Sequence, residues 1–363
     1  MKKTILLLLS HSCNLNCRYC YERFKNSKKM TWEKAREILE AEFSCPVEEI
    51  NRIDLLGGEP LTNFPLIPKI CEWVWQRSPE LKVFARTNGT LLTDEMKQWF
   101  VANKDRIVLG LSIDGNPEVN YINRGVQQID MDFFRNNWPD NEVKMTIFPN
   151  SVHLLSSSTR YLYERGFRVV GGLAQGVLWD ENSCQRLKEQ MEELSEYYLS
   201  HPNITPLAHL FDLNFHRAFS PSYREPERPC WEVANIHSYD CEGNRYPCHM
   251  FSSIVQGKTK SKTILEDAKN VKHELLPKEC QECPICWCCK KCMGINYQHT
   301  GDFGHNINLD YMCEAQKVAA VASAKLLLGK VMNNQIEIDS DETKLSVENA
   351  IKYLKMMGEF DNE

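Results

Sequence analysis

An apolar run and a cysteine motif lie side by side in the first twenty residues. Thr4–Leu9 is followed, after three residues, by Cys13-Asn-Leu-Asn-Cys17-Arg-Tyr-Cys20. A short apolar run bounded by polar residues predicts a buried β-strand. Three thiolates on one loop can bind three irons of a [4Fe–4S] cube, which leaves the fourth iron open to another ligand. The alternative is a zinc site, in which His11 would complete a Cys3His set.

Short apolar runs alternate with amphipathic stretches over the first two hundred residues. The apolar runs predict strands at Thr4–Leu9, Arg52–Leu56, Lys82–Arg86, Ile107–Ile113, Val143–Phe148 and Arg168–Gly172. The stretches between them predict helices at Thr31–Phe43, Leu66–Gln76, Asp94–Asn103, Val152–Arg165 and Cys184–Leu199. This alternation favours parallel βα units. Because six strands are too few for a closed barrel of eight, we expect an α/β fold built as an incomplete (β/α)6 TIM-like barrel; a doubly wound open sheet is the alternative.

The composition limits the possible classes of protein. The chain has 363 residues, 42% hydrophobic and 25% charged, with a net charge of −6. These values exclude a disordered, fibrous or membrane-spanning protein, and the lack of a basic excess argues against nucleic-acid binding. The apolar run after Lys2 and Lys3 is shorter than the roughly 7–15 residues of a secretory signal. We therefore expect a cytoplasmic protein, in which clustered cysteines bind metal more often than they form disulfides.

Further motifs follow the next three predicted strands, at the strand ends where α/β proteins place their chemistry. They are Leu56-Gly57-Gly58-Glu59-Pro60, Arg86-Thr87-Asn88-Gly89 and Ser112-Ile113-Asp114-Gly115, the last followed by Arg124. Glycines let the backbone approach a ligand closely, and a carboxylate can receive an ammonium group. Each motif taken alone is also typical of an ordinary turn.

Together with the C-x3-C-x2-C spacing, these motifs resemble the radical S-adenosylmethionine (SAM) superfamily. The resemblance implies a cluster on Cys13, Cys17 and Cys20 that cleaves SAM reductively to a 5′-deoxyadenosyl radical. It also implies that the Gly57–Pro60 segment binds the methionine amino group. The other SAM-binding residues that it implies are Tyr19 near the adenine, Ser112 at the ribose, and Asn88, Asp114 and Arg124 in the remaining segments. The His-Asp that usually precedes the arginine is Asn120-Tyr121 in this chain.

A second cysteine-rich region follows a proline-containing stretch. Of the 16 cysteines, ten lie between residues 230 and 313. Their order is similar to the SPASM extension of radical SAM enzymes: a Cys, then Gly-x4-Cys, then a C-x2-C-x5-C-x3-C run, and a last Cys. We expect a radical SAM partial barrel over 1–205, a linker over 206–229, a SPASM domain over 230–320 and a C-terminal tail over 321–363. Helices predicted at Val318–Leu328 and Leu345–Met357 in this last part of the chain carry no chemical signal.

The SPASM resemblance implies two auxiliary [4Fe–4S] clusters, three clusters in all. One would use Cys230, Cys248 and Cys292, with Cys241 as the best fourth candidate. The other would use Cys280, Cys283, Cys289 and Cys313, which leaves Cys286 and Cys288 spare. The family pattern has three residues between the last two cysteines of the run, but only two residues separate Cys289 from Cys292. Taking Cys288 as the ligand restores this last spacing, but it makes the preceding spacing, from Cys283, one residue too short. We prefer Cys289. A zinc ribbon built on the C-x2-C pairs is the alternative.

Enzymes with this extension mostly act on peptides and proteins. The resemblance therefore implies an oxidoreductase that crosslinks or oxidises a side chain of a ribosomally made peptide or protein. It also implies an external flavodoxin-like or ferredoxin-like electron donor. Since the cluster motif begins at residue 13, leaving no room for a leader-binding module, we expect leader binding from a separate protein or from the barrel itself.

Two alternatives remain open at this point. A sulfatase-maturing, formylglycine-generating enzyme would carry an Asp base at the position of His249, directly after Cys248. Histidine can also accept a proton near neutral pH, so we take His249 as the catalytic candidate; a purely structural histidine is the other interpretation. A multi-cluster electron-transfer protein would not need the Gly57–Pro60 and Ser112–Gly115 motifs of a SAM pocket.

Overall fold

The computed structural model describes residues 2–45, 49–219, 235–267, 277–289, 291–302 and 306–360. Its internal contacts divide the chain into two compact units. The first unit comprises Met1–Ile113, Arg124–Lys144 and Cys230–Lys272, and the second comprises Asp114–Asn123, Met145–Pro229 and His273–Glu363.

The described residues form eight strands and thirteen helices. The strands are β1 Lys2–Leu8, β2 Glu49–Leu56, β3 Val83–Thr87, β4 Ile107–Leu111, β5 Val143–Ile147, β6 Val169–Leu173, β7 Ile236–Tyr239 and β8 Arg245–Tyr246. The helices are α1 Trp32–Phe43, α2 Leu66–Arg77, α3 Asp94–Ala102, α4 Pro117–Arg124, α5 Met131–Asn137, α6 Leu155–Glu164, α7 Glu181–Ser200, α8 Ser253–Asp267, α9 Lys278–Gln281, α10 Met293–Thr300, α11 Asn308–Tyr311, α12 Cys313–Met332 and α13 Asp341–Met356. All six predicted strands and all seven predicted helices are present, with ends shifted by a few residues.

A six-stranded sheet organises the first unit. Its order is β4-β3-β2-β1-β7-β8, and every pair from β4 to β7 is parallel. Strand β1 is central and apolar on both faces, with Ile5 and Leu7 fully buried, as expected for a parallel strand covered on both sides. Helices α1 and α3 begin where Thr31 and Thr93 accept hydrogen bonds from backbone N–H groups three residues on. The carboxyl ends of β1 to β4 thus meet at one edge of the sheet.

Strand β7 was not predicted from the sequence. It pairs in parallel with β1, on the side opposite β2. Its sequence, Ile-His-Ser-Tyr, is polar at two of four positions, and His237 and Ser238 are nevertheless buried. A buried charge network explains this, since Glu42 accepts hydrogen bonds from His237 and Tyr239 and pairs with Lys3 at 2.6 Å. The local pattern of polar and apolar residues cannot predict this pairing of β7 with β1.

Helices dominate the second unit. The long helices α7 and α12 pack along each other, and α13 packs against α12 and against the short 3-10 helix Phe215–Arg217. Within the predicted linker 206–229, Leu207, Leu210 and Phe215 are buried, while 220–229 lies outside the described residues. The predicted domain boundaries stay predictions. No helix in the described part of the chain is long and apolar enough to cross a bilayer.

Candidate active site

The cysteine loop, residues 10–20, is held at the carboxyl end of β1 by the turn that follows β2. Gly58 N–H donates to the Ser10 carbonyl oxygen at 2.7 Å, and Glu59 N–H donates to the Ser12 carbonyl oxygen at 2.8 Å. A Cβ atom on Gly57 would come within 2.4 Å of the Ser10 carbonyl oxygen. The two glycines were expected to admit a ligand. In the structure their missing side chains admit the backbone of the cysteine loop, and their predicted contact with SAM stays a prediction.

The three cysteines of this loop are half-buried. Cys13 Sγ accepts the Leu15 N–H at 3.5 Å, and Cys20 N–H donates to the Cys17 carbonyl oxygen at 3.0 Å. Burial raises the pKa of the Cys13 and Cys20 thiols. Lys25 lies beside both sulfurs: burial opposes its charge, but the two thiolates raise the pKa of its ammonium group overall. The loop therefore combines three thiols with a nearby positive charge that favours thiolates.

These residues fit a cluster with an open iron. Each thiolate of a cube binds a different iron, so the ligands need not converge on one point. Among the described residues, no three His, Cys, Asp or Glu side chains converge on a single-metal site. His11, which would complete a Cys3His zinc set, is fully buried, and its Nδ1 lies 3.4 Å from Asn26 Nδ2. The donor set therefore favours the cluster.

Glu59 is buried and bonded on both carboxylate oxygens. Its Oε1 accepts from the Thr87 hydroxyl at 2.8 Å and the Leu61 N–H at 3.1 Å, and its Oε2 accepts the Asn88 N–H at 2.8 Å. Burial raises the pKa of Glu59, and these three hydrogen bonds act in the opposite direction and lower it. Pro60 opens the short 3-10 helix that Glu59 caps. The carboxylate joins the turns after β2 and β3, and its Oε2, with one bond, retains acceptor capacity for an ammonium group.

Asn88 connects the turn after β3 to the cysteine loop. Its Nδ2 donates to Asn14 Oδ1 at 3.0 Å, and Asn14 Nδ2 donates to Thr90 Oγ1 at 2.7 Å. Thr90 Oγ1 in turn donates to Asn88 Oδ1 at 2.6 Å. This closed ring of side chains orients Asn14, which lies within the cysteine motif.

Tyr19 and Arg124 are also brought together. The Arg124 guanidinium carbon lies 5.7 Å from the centroid of the Tyr19 ring, within cation–π range. Arg124 is buried, and its charge also acts on Glu59. Ser112, directly after β4, donates its N–H to the Thr87 carbonyl oxygen at 2.9 Å. The first unit thus collects Tyr19, Glu59, Asn88, Ser112 and Arg124 at the strand ends.

Asp114 has a local structural role within the second unit. Its Oδ1 accepts the Thr146 N–H at 2.9 Å, and its Oδ2 accepts from Asn123 Nδ2 at 3.3 Å. Asn120, which stands where the family has a histidine, accepts the Asp114 N–H at 3.3 Å. These bonds connect β5 and α4 to the turn after β4. Its predicted contact with SAM stays a prediction.

His249 lies against the residues that follow the last cysteine of the loop. Its Nε2 is 3.3 Å from the Tyr21 hydroxyl, and its Nδ1 is 3.5 Å from Cys248 Sγ. Burial raises the pKa of the neighbouring Glu22 to about 7. The charges of His249 and Lys25 act in the opposite direction and limit this rise. Tyr21 and Glu22 were missed by the sequence analysis. Their adjacency to Cys20 was a signal in the sequence. The contact of Tyr21 with His249, which is 228 positions away, could not be predicted from the sequence.

A second cysteine group, Cys280, Cys283, Cys286, Cys289 and Cys313, forms within the second unit. Burial raises the pKa of Cys289 to about 11, and the charges of Cys283, Cys313 and Cys286 act in the same direction. Burial also raises the pKa of Cys313, and the charges of Cys283 and Cys280 again add to this effect. Asn306 Nδ2 donates to Cys280 Sγ at 3.1 Å. The four predicted ligands of one auxiliary cluster, and Cys286, therefore interact with one another electrostatically within this unit, and their role as ligands stays a prediction.

Cys288 has a hydrogen-bond partner outside this group. Its sulfhydryl donates to the Asn214 carbonyl oxygen at 3.2 Å, and its side chain belongs to the buried apolar core of the second unit. The main chain turns sharply here, since the N–H groups of both Cys288 and Cys289 donate to the Ile285 carbonyl oxygen. This geometry supports Cys289 rather than Cys288 as a ligand.

The other predicted auxiliary ligands are more scattered. Cys230 lies outside the described residues. Cys248 belongs to the first unit, whereas Cys292, directly before α10, belongs to the second. Cys241 is buried, its sulfhydryl donates to the Leu8 carbonyl oxygen at 3.2 Å, and burial raises its pKa to about 12. This contact gives Cys241 a packing role at the end of β1, and its role as a ligand stays a prediction.

Comparison with known proteins agrees with this geometry. Residues 7–126 match the Radical SAM superfamily. The cysteine-type anaerobic sulfatase-maturating enzyme of Clostridium perfringens is 30% identical over 125 residues, which cover 32% of this chain and 33% of that protein. The chain spans less than half the length of the curated relatives it matches.

Two solved structures share the fold. Native anSMEcpe with bound AdoMet and the Cp18Cys peptide aligns with a TM-score of 0.66 at 16% identity, covering 93% of this chain and all of that one. SuiB of Streptococcus suis bound to its precursor peptide SuiA aligns with a TM-score of 0.59 at 15% identity, covering 84% of this chain and 75% of that one. The predicted α/β fold and the resemblance to radical SAM proteins are therefore confirmed.

Proposed function

Because residues 7–126 match the Radical SAM superfamily, we propose that this protein is an enzyme that cleaves SAM reductively and modifies a side chain of a peptide or protein. The main observation that supports the proposal is that backbone hydrogen bonds hold the cysteine loop in place. Cys13, Cys17 and Cys20 lie half-buried at the carboxyl end of β1, and the backbone of Gly58 and Glu59 fixes the loop. A [4Fe–4S] cluster on these thiolates would supply the electron that breaks the S–C5′ bond of SAM.

The surrounding residues orient the cofactor. Glu59 presents a buried carboxylate that would receive the methionine ammonium group, and it is kept in place by Thr87 and Asn88. The Tyr19 ring and the Arg124 guanidinium group offer an aromatic face and a charge to the nucleoside and the carboxylate. Fixed groups of this kind align the reacting atoms and exclude water.

We further propose two auxiliary clusters in the cysteine-rich region. Support for the first comes from the grouping of Cys280, Cys283, Cys289 and Cys313 in the second unit. The second would use Cys230, Cys248 and Cys292 in the SPASM segment proposed for 230–320. An external low-potential protein would deliver the electrons, and a separate protein could present the leader of the substrate peptide.

The test begins with protein reconstituted without oxygen and supplied with SAM and a strong reductant. Formation of 5′-deoxyadenosine should increase on addition of a short peptide encoded beside the gene, and the peptide should change mass. Stoichiometric zinc without the broad absorption of iron–sulfur clusters near 400 nm would overturn the proposal. Iron–sulfur clusters without SAM cleavage would favour an electron-transfer protein.

Sulfatase maturation is the second candidate, favoured by the 30% identity to the Clostridium perfringens enzyme. Against it stands His249, in place of the Asp base that the family resemblance implies. We expect little or no formylglycine on a Cys- or Ser-containing sulfatase peptide. For the true substrate, His249→Ala should reduce product formation while uncoupled SAM cleavage continues, since general acid–base groups contribute about 100-fold or more. Robust conversion of the sulfatase peptide by the unmodified enzyme would promote this second candidate.

A further inference from the structure

Two basic stretches of the first unit lie next to each other beside the cysteine loop. The first is Arg23-Phe-Lys-Asn-Ser-Lys-Lys29, which begins three residues after the loop, and the second is Gly257-Lys-Thr-Lys-Ser-Lys262 within α8. Together they contain seven positively charged side chains and no carboxylate, in a chain whose net charge is −6. We call these two stretches the basic surface. A local concentration of positive charge attracts negatively charged partners and guides their approach.

Phe24 joins the two stretches of the basic surface. Its N–H donates to the Ile254 carbonyl oxygen at 2.9 Å, and a Cβ atom added to Gly257 would lie 3.1 Å from its ring. Gly257 has a φ of 75°, in the left-handed region that favours glycine, and it interrupts the helical geometry of α8. The Phe24 ring is nevertheless 49% exposed. Aromatic side chains are enriched at protein interfaces, so an exposed ring fixed between two basic stretches is a suitable contact for a partner.

Exposed carboxylates at the edge of the basic surface form only weak pairs with it. Lys28 pairs with Glu242 at 2.7 Å, and Lys262 lies 3.7 Å from Glu266, but all four side chains are more than one third exposed. Ion pairs of this kind contribute little to stability and can exchange for pairs with another molecule. The basic surface therefore keeps an excess of positive charge that a partner can use.

The basic surface is also attached directly to the cysteine loop. Lys25 Nζ donates to the Leu15 carbonyl oxygen, inside the loop, at 3.2 Å. The Asn26 N–H donates to the His11 carbonyl oxygen at 3.1 Å, and the His11 N–H donates to the Lys28 carbonyl oxygen at 2.9 Å. A protein that binds to this surface therefore comes close to the three cysteines of the loop.

We propose that the basic surface is the docking site of an acidic electron-carrier protein that reduces the cluster on Cys13, Cys17 and Cys20. This inference rests on the proposed function, which requires an external donor of low potential. One electron passes from the reduced carrier to the oxidised cluster, and no covalent bond forms or breaks. Complexes between electron-transfer proteins have small interfaces, and charge complementarity sets how fast they form. A compact charged surface with one exposed ring suits such a partner.

The test reverses two charges on the basic surface and two elsewhere. Lys258→Glu/Lys262→Glu changes exposed side chains of α8, and Lys344→Glu/Lys352→Glu makes the same change on exposed side chains of α13 in the second unit, as the matched control. The probe is an acidic flavodoxin in its fully reduced form, mixed with iron-loaded enzyme at low ionic strength. The rate constant for flavin oxidation should fall about 10-fold or more in the α8 variant and stay within about 2-fold in the control, because electrostatic steering raises association rates by roughly 10- to 1,000-fold.

Two further measurements separate docking from catalysis. Formation of 5′-deoxyadenosine driven by flavodoxin should fall in the α8 variant, whereas formation driven by dithionite, which needs no docking site, should be unchanged. Added salt should slow the reaction of the parent enzyme with flavodoxin much more than that of the α8 variant. Phe24→Ala should weaken the binding of oxidised flavodoxin at low and high salt alike, since it removes an apolar contact and no charge.

Three outcomes would overturn the inference in different ways. Equal rates of flavin oxidation by the parent and the α8 variant, with SAM cleavage intact under dithionite, would remove the docking site and leave the proposed function standing. Absence of SAM cleavage with either reductant would overturn the proposed function and the inference with it. An unchanged reaction with flavodoxin, combined with weaker binding of the peptide encoded beside the gene, would instead assign the basic surface to an acidic leader peptide.

Discussion

The two cysteine groups of this protein are held by different kinds of structure. In the first unit, Cys13, Cys17 and Cys20 lie on a loop between a parallel strand and a helix, bound to the next turn through backbone hydrogen bonds. In the second unit, the group around Cys283 lies on the short helix α9, on the irregular chain after it and on the first residue of α12, and Cys283 packs against a core that includes side chains of α13. The first arrangement depends on local sequence, and the second depends on packing between distant segments.

This contrast predicts that losing the ligands of one group should leave the other intact. The Cys13→Ala/Cys17→Ala/Cys20→Ala variant should abolish SAM cleavage and lower the iron content from about 12 to about 8 per chain, for three four-iron clusters. Iron analysis and 5′-deoxyadenosine assays check this. Cys45→Ala is the matched control, since Cys45 is exposed and outside both groups. Loss of all iron from the triple variant would show that the two groups do not assemble independently.

A second comparison tests the packing argument within the second cysteine group. Cys289→Ala should remove about four irons per chain, because it deletes a ligand. Cys288→Ala should keep the iron and lower the free energy of unfolding, because that side chain fills the apolar core and bonds the Asn214 carbonyl oxygen. Iron content together with denaturant unfolding separates the two effects. Loss of iron from Cys288→Ala but not from Cys289→Ala would instead identify Cys288 as the ligand.

The same contrast explains what could be read from the sequence. Strands β1 to β6 and the turn motifs were predicted because period-2 and period-3.6 patterns and glycine positions are local signals. Strand β7 was missed because its burial depends on Glu42, nearly two hundred residues earlier in the chain. Tyr21 and Glu22 were missed for the same reason: only the folded chain brings them to His249.

A third prediction concerns Glu59. Glu59→Gln keeps the size of the side chain but removes the charge that would pair with the SAM ammonium group. A charge-assisted hydrogen bond contributes about 1.5–3 kcal/mol, so SAM affinity should fall roughly 10- to 100-fold. Glu42→Gln is a suitable control, because Glu42 is also a buried, hydrogen-bonded carboxylate of the first unit. An unchanged affinity for SAM in a folded, fully iron-loaded Glu59→Gln protein would show that this carboxylate only joins the turns after β2 and β3.

The smallest effect is expected at Tyr21, which links the cysteine loop to the segment after Cys248. Its hydroxyl lies 3.3 Å from His249 Nε2, so Tyr21→Phe removes one neutral hydrogen bond and keeps the ring. Such a bond contributes about 0.5–1.5 kcal/mol, which corresponds to a roughly 2- to 12-fold loss of peptide product. SAM cleavage without peptide should be unchanged, because the hydroxyl orients His249 rather than the cluster ligands. The double variant Tyr21→Phe/His249→Ala should then be no slower than His249→Ala alone, since the hydroxyl acts through the imidazole. Additive losses in the double variant would instead assign the tyrosine a role of its own at the substrate.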